Sequence, residues 1–469
     1  MPSPEFHRGR RLAFLRSIDG PVLLFAGGQR SRNYPANTYA YRADSNFHYF
    51  FDRPEPDAAA LFDPADGSVR LFLHARTAAD ALWHGATSPF ETELDRQMVT
   101  EVLPVEELET HVKRICGTRK VRSLAVADHR TTARARKITG EDLDFDSSGG
   151  PCDPKIADAI FALRKNKAPE ELEEIRRAAA VTHAAHVGAM NATRKGGSEA
   201  KLTGVVEGTF AQHDCTPAYG TILSVRGEVL HNNAHGNDLR DGDLVLLDAG
   251  AERPSAYCAD VTRAWPVSGR FDPLQAEIYD IVLHAELAAI AMVKPGVRYR
   301  DVHMQSARVI TDGLRQAGFL RGSTDALVES GAHAVFFPHG VGHQLGLDVH
   351  DMEGFGDRVH YPGGRTRSSQ FGTCYLRMDR DLEAGMVFTI EPGIYFVPAI
   401  LADDALRGRF RDAVDWSRAE KVAREHGGRG FGGIRIEDDV HCTATGHEVL
   451  TSSIPKERAA VEAAVGTGR

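Results

Sequence analysis

Residues 243–267, DLVLLDAGAERPSAYCADVTRAWPV, read as two apolar strands joined by a turn near Pro254. Asp248 ends the first strand and Asp260 opens the second. Paired strands that carry carboxylates at matching ends can aim both into one pocket. An aspartate beside a turn is also common as a capping group. The pair therefore gains its meaning from the segments that follow it.

Three later phrases set further polar groups in or beside apolar runs. They are His343 in HGVGHQLGLDVHD (339–351), Glu391 in MVFTIEPGIYFV (386–397) and Glu437 in GGIRIEDDV (432–440). An acid inside so apolar a run is costly unless paired or liganded. The three glycines of 339–351 disfavour a regular helix. They suit a loop whose backbone approaches a metal or substrate closely, and that loop also carries His339 and His350. Four ionised carboxylates in one pocket would drive one another to protonate. Two divalent cations relieve that repulsion. The pattern predicts a dinuclear metal centre made by Asp248, Asp260, His343, Glu391 and Glu437, and with it a hydrolase. A mostly oxygen ligand set favours Mn²⁺, with Co²⁺ or Zn²⁺ as alternatives. Arg435 stands two residues before Glu437, on the same face of an extended strand.

Outward from this centre the chain divides in two. Residues 1–150 alternate short apolar runs, PVLLFAG (21–27), AAALFD (58–63), VRLFLH (69–74) and SLAVAD (123–128), with helical patterns, and read as an α/β domain without concentrated chemistry. A Gly/Pro/Ser cluster, SSGGPCDP (147–154), marks the boundary. The second domain, 155–460, is α+β. Helical patterns cover 168–193, 198–213, 273–293, 300–317 and 324–335, and strand patterns cover 243–251, 256–267, 386–397 and 433–443. Two long connections, 352–382 and 398–430, interrupt the ligand strands. Connections of that length are commonly functional or interfacial.

The bulk properties agree with a metabolic enzyme. A chain of 469 residues holds two or more domains with ample core. Its net charge of −9 carries no basic block, so neither nucleic acid nor an anionic membrane surface is expected as a partner. No signal peptide or membrane span is expected from the start of the chain. Cysteines 116, 152, 215, 258, 374 and 442 are scattered and read as reduced thiols, which points to the cytoplasm.

Together these phrases resemble the pita-bread metallopeptidases, and among them the proline-specific branch of Xaa-Pro dipeptidases (prolidases) and Xaa-Pro aminopeptidases. The similarity is close to continuous from LRKNKAPEELEEIRRA (163–178) to GIRIEDDVHCTATGHEVLT (433–451). YRADSNFHYFFDRPEPDAAALFD (41–63) is similar to that branch's non-catalytic domain. The resemblance implies an α/β N-terminal domain before a pita-bread catalytic domain, a small peptide substrate with proline in second position, and a homodimer. It implies that Asp248 chelates one metal, that His343 and Glu391 bind the other, and that Asp260 and Glu437 bridge the two. Water activated there would attack the bond before proline, with Glu391 handling its proton. His231 (in VLHNNAH) and His350 would meet substrate and the developing tetrahedral species. His339 would line the pocket, Arg435 would support substrate and bridging ligands, and Tyr219 would stand on the substrate side.

One departure is local. The family separates its two aspartate ligands by eleven residues, and here the interval is twelve. An extra residue within a strand would turn the side chains to the wrong face. It is expected in the turn around Arg253-Pro254-Ser255 or in a bulge. The long connections look more like prolidases, and Arg377 stands where prolidases place an arginine for the substrate carboxylate. Hydrolysis of Xaa-Pro dipeptides is therefore the main expectation. Xaa-Pro aminopeptidase action on longer peptides is the alternative, and a metal-free scaffold is a distant third.

Overall fold

The computed structural model describes residues 2–52, 54–85, 89–145 and 153–468 and divides into two compact units. One runs up to Lys165 and takes in Met352–Val359; the other comprises Asn166–Asp351 and the chain from His360. Residues 147–152 of the Gly/Pro/Ser cluster lie outside the described residues. The helix Pro154–Arg164, assigned by the sequence reading to the second domain, is counted with the first. It packs on Pro4–Ser17 and buries Ile156, Ile160 and Phe161.

The first unit is built on a five-stranded mixed sheet in the order Glu101–Pro104, Ser68–Leu73, Ala59–Asp63, Val22–Phe25, Arg122–Ser123. Its three central strands are antiparallel, with Val22 opposite Phe62 and Phe62 opposite Val69. The edge strands are parallel to their neighbours. Continuous apolar runs make these central strands because both faces are covered. Of the run 123–128, Ser123 belongs to the short strand Arg122–Ser123 and Leu124 makes a single bridge.

In the second unit helices begin where their capping chemistry puts them. Pro169 opens Pro169–Ala192, and the Glu171 carboxylate accepts the Ala168 N–H at 2.9 Å. Asp272 caps Pro273–Ile290 by accepting from the Leu274 and Gln275 N–H groups. Glu199–Gln212 and Tyr299–Gln316 follow the expected spans, whereas Thr324–Ser330 stops early and continues as a 3₁₀ turn, Ala332–Val335. The helices cover short antiparallel sheets. One pairs Thr262–Pro266 with Leu244–Asp248 and that strand with Ile222–Ser224. Another pairs Val387–Ile390 with Asp438–Cys442 and then His447–Val449. Gly393–Tyr395 pairs with Gly433–Arg435. The main core of this unit includes Trp265, Tyr279, Phe336, Ile394, Phe396 and Ile434.

The connection 398–430 is not a loop. It folds as Pro398–Leu401, Asp404–Arg409 and Trp416–Glu425, and buries Leu401, Phe410, Trp416 and Ala419 in that core. Among the described residues no helix is long and apolar enough to cross a membrane.

Candidate metal centre

The five expected ligands come from breaks and ends of strands rather than from their middles. Asp248 is the last residue of its strand and pairs with Thr262. Asp260 sits two residues before Thr262, where its strand begins. Glu391 lies between Val387–Ile390 and Gly393–Tyr395, and Glu437 lies between Gly433–Arg435 and Asp438–Cys442. A strand break re-aims a side chain that regular pleating would send to an alternate face. The turn after Asp248 closes through Arg253, whose N–H donates to Tyr257 O at 3.0 Å, with Ala256 in the left-handed region at φ 63°. Both aspartates reach one point in spite of the twelve-residue interval, since the Tyr219 hydroxyl lies within hydrogen-bonding reach of each, at 2.5 Å from Asp248 Oδ1.

His343 joins them from the glycine-rich loop. Gly342 lets this happen: a Cβ there would lie 2.2 Å from Thr389 O, and its φ is 155°. The His343 N–H donates to Thr389 Oγ1 at 3.2 Å. Nδ1 lies 3.1 Å from Gln344 O, which leaves Nε2 facing Asp260 Oδ2 at 3.3 Å and Glu391 Oε1 at 3.7 Å. Fixing one ring nitrogen on a carbonyl presents the other as a metal donor. Ligand atoms of Asp260, His343 and Glu437 all lie within 4.8 Å of one another and could hold a metal ion. Asp248 flanks that trio through Tyr219, and Glu391 flanks it through His343.

Burial and crowding make this cluster electrically unstable by itself. Burial, then Asp248, pushes the Asp260 carboxyl up to about 7. Burial followed by Asp260, Glu391 and Asp248 holds Glu437 well above the carboxylate range. Burial also raises Glu391, although His343 and Arg435 oppose it. The Tyr219 phenol is raised well above its usual value by burial, Asp248 and Asp260, so it stays a donor. Its one proton cannot serve both aspartates. Such a donor set, rich in carboxylate oxygen and short of positive charge, fits a hard or borderline divalent cation.

Arg435 brings a buried guanidinium to the cavity. It bonds Asp248 Oδ2, donates from Nη1 to Tyr395 Oη at 2.9 Å and from Nε to Thr262 Oγ1 at 2.9 Å. The Thr262 hydroxyl then donates to Glu437 Oε2 at 2.6 Å. Tyr395 Oη also lies 2.9 Å from His339 Nε2. Sequence reasoning did not single out Thr262, Tyr395 or Thr389. The phenol in the apolar run GIYFV was the available signal, because a buried tyrosine hydroxyl needs a partner.

A cavity of about 800 Å³ opens over the centre and is lined by all eleven residues expected at the site. His339 is pushed down to about 3 by burial and by Arg435, and burial likewise lowers His231, so both rings are neutral at pH 7. The His350 ring centroid lies 4.1 Å from that of His343. Arg377 stands on the wall with Phe371 and Tyr375, and Ile222, Val349, Val397 and Ile400 make it largely apolar. Small-molecule sites have this character: apolar walls with a few convergent polar groups.

Residues 173–444 match the family described as Metallopeptidase family M24. The chain belongs to that family. Residues 7–124 match the domain described as Aminopeptidase P, N-terminal domain, so the fold is that domain followed by the pita-bread catalytic domain. The chain is 31% identical to the Xaa-Pro aminopeptidase of Escherichia coli over 99% of its length and 98% of that protein's. It is 33% identical to the Xaa-Pro dipeptidase of Homo sapiens over 95% of its length and 88% of that protein's. The solved structure of proline aminopeptidase P II from Yersinia pestis superposes with a TM-score of 0.81 at 31% identity, covering 99% of both chains.

Proposed function

We propose that this M24 enzyme hydrolyses the peptide bond before proline, foremost in Xaa-Pro dipeptides, with two divalent cations held by Asp248, Asp260, His343, Glu391 and Glu437. The observation that carries the reading is that Asp248, Asp260 and Glu437, all buried, the half-buried Glu391 and His343 line one cavity, with Asp260, His343 and Glu437 close enough to share an ion. Mn²⁺ suits the donor set best, with Co²⁺ or Zn²⁺ as substitutes. When bound, such cations supply Lewis acidity toward water and the scissile carbonyl.

The chain's own residues do the rest. Glu391 accepts the proton released from the attacking water, which is then available to the departing secondary amine of proline. His231 and His350 donate to the carbonyl oxygen as negative charge develops on it. Arg435 holds Asp248 and, through Thr262, Glu437 in place. An amide to proline has no N–H for recognition. Selectivity must rest on ring shape, the free amino terminus and the groups beyond the ring.

Arg377 supports the dipeptide reading, since a guanidinium on the cavity wall suits a carboxylate directly after proline. Aminopeptidase action on longer peptides is favoured by the near-complete coverage of the solved aminopeptidase P chains. Steady-state rates on Ala-Pro and Ala-Pro-Ala separate the two. Dipeptide preference supports the prolidase, and tripeptide preference makes the enzyme an aminopeptidase. Resemblance also supports a cytoplasmic homodimer, which light scattering of the purified chain tests for assembly.

A further inference from the structure

The Lys167 ammonium is buried beside the loop that carries His343 and His350. Its Nζ donates to Asp351 Oδ2 at 2.9 Å, and both side chains are only 1% exposed. Asp351 immediately follows His350. The Asp351 N–H donates to Gln344 O at 2.9 Å, so residues 344–351 form a closed loop that starts beside His343 and carries His350. Inside that loop Gly346 N–H donates to Asp348 O at 3.0 Å, and Gly346 O accepts the Cys258 N–H at 3.0 Å. The loop is thereby tied to the segment that leads into Asp260.

Gly346 lies flat against the ion pair. A Cβ there would stand 2.6 Å from Asp351 Oδ2 and 2.9 Å from Lys167 Cε. The other side of the pair is equally fixed, because the Lys167 N–H donates to Gly385 O at 2.7 Å, at the entry to the strand that leads to Glu391. A charge pair this enclosed adds little to stability alone, since desolvation offsets much of its attraction. What it does provide is a single geometry for the groups it joins.

We propose that Lys167 is a positioning residue for the reaction: through Asp351 it sets the 344–351 loop and so holds the His350 ring against His343, facing substrate. The inference rests on the peptidase reading and on His350 as a substrate contact. Misplacing a catalytic donor by about 1 Å can cost about a hundredfold in rate.

The test separates position from stability. Lys167→Met leaves Asp351 buried without its ammonium and should lower both thermal stability and turnover. Lys167→Met combined with Asp351→Leu removes both charges and should recover much of the Tm, as apolar replacements of buried pairs commonly do. Turnover of Ala-Pro by that double variant should stay about ten- to a hundredfold below the parent, with a smaller change in KM and parent-like metal content. Recovery of kcat together with Tm would overturn the proposal, as would a loss of activity that tracks metal content. Gly346→Ala presses on the same pair without altering charge. If the double variant does not fold, this variant decides: a fall in kcat at parent metal content supports the inference, and parent kcat refutes it. A parent enzyme that hydrolyses no Xaa-Pro peptide would reject the peptidase reading itself.

Discussion

Replacing Asp260 by asparagine should stabilise the metal-free protein while destroying its use of metal. In the folded chain burial and the neighbouring Asp248 push the Asp260 carboxyl up to about 7, against 3.8 for the free group. A carboxyl with a raised folded value contributes stability below the unfolded value and loses it as pH rises through the folded one. Its contribution is thus present below about pH 4 and gone above about pH 7. A difference of about three units is worth about 4 kcal/mol at about 1.4 kcal/mol each, an upper figure for so crowded a site. The asparagine side chain would carry no charge, and its amide could donate to Asp248. Denaturant melts of parent and Asp260→Asn, both in chelator, should therefore lie closest below about pH 4 and separate by pH 8 in favour of the variant. Added Mn²⁺ should then stabilise the parent strongly and the variant little. The buried histidines titrate in both proteins and cancel in the comparison. A variant less stable than the parent at pH 8 without metal would refute the idea that these carboxylates are held together against their own repulsion.

His231→Ala and His350→Ala should each lower kcat about a hundredfold, the scale of one oxyanion donor at about 3 kcal/mol, with metal content by atomic emission unchanged. Arg377→Ala should depress kcat/KM for Ala-Pro by about thirty- to a hundredfold, with a smaller loss on Ala-Pro-Ala; equal losses on both would remove Arg377 from carboxylate recognition. His303 is fully buried, is pushed down to about 3 by burial, and has neither ring nitrogen hydrogen-bonded among the described residues. Its neutral form contributes stability above about pH 6.5, lost as pH falls, so His303→Phe should flatten the acid limb of stability measured by urea midpoint between pH 7.5 and 4.5.

Much of the centre was legible because chemistry forced it into view. Asp248, Glu391 and Glu437 interrupt runs such as LVLLD and VFTIE where an acid has no apolar reason to stand. Histidines in a glycine-rich stretch marked the loop at 339–351, and Gly342 proves necessary where the backbone meets Thr389. The helices from Pro169 to Gln316 could be read from caps and periodicity. Strand ends could not. The 256–267 pattern begins as a strand only at Thr262, because Tyr257 and Ala259 are buried by turn packing that an apolar pattern does not distinguish from pairing. The 398–430 connection hid three short helices, whose ends come from Asp403 and Asp415 caps and from contacts of Trp416 rather than from a long periodic face. Thr262 and Tyr395 acquire their roles only through distant partners, Glu437 and His339, so no local pattern marks them. Lys167 illustrates the same limit, since its partner Asp351 is remote in sequence.

The central claim is a dinuclear hydrolytic centre, and metal titration against activity tests it most directly. Protein stripped by chelation to no detectable transition metal should not hydrolyse Ala-Pro. Stepwise addition of Mn²⁺ should restore activity along a curve that saturates at two ions per chain. Full activity in the stripped protein, or saturation at a single ion, would contradict the account.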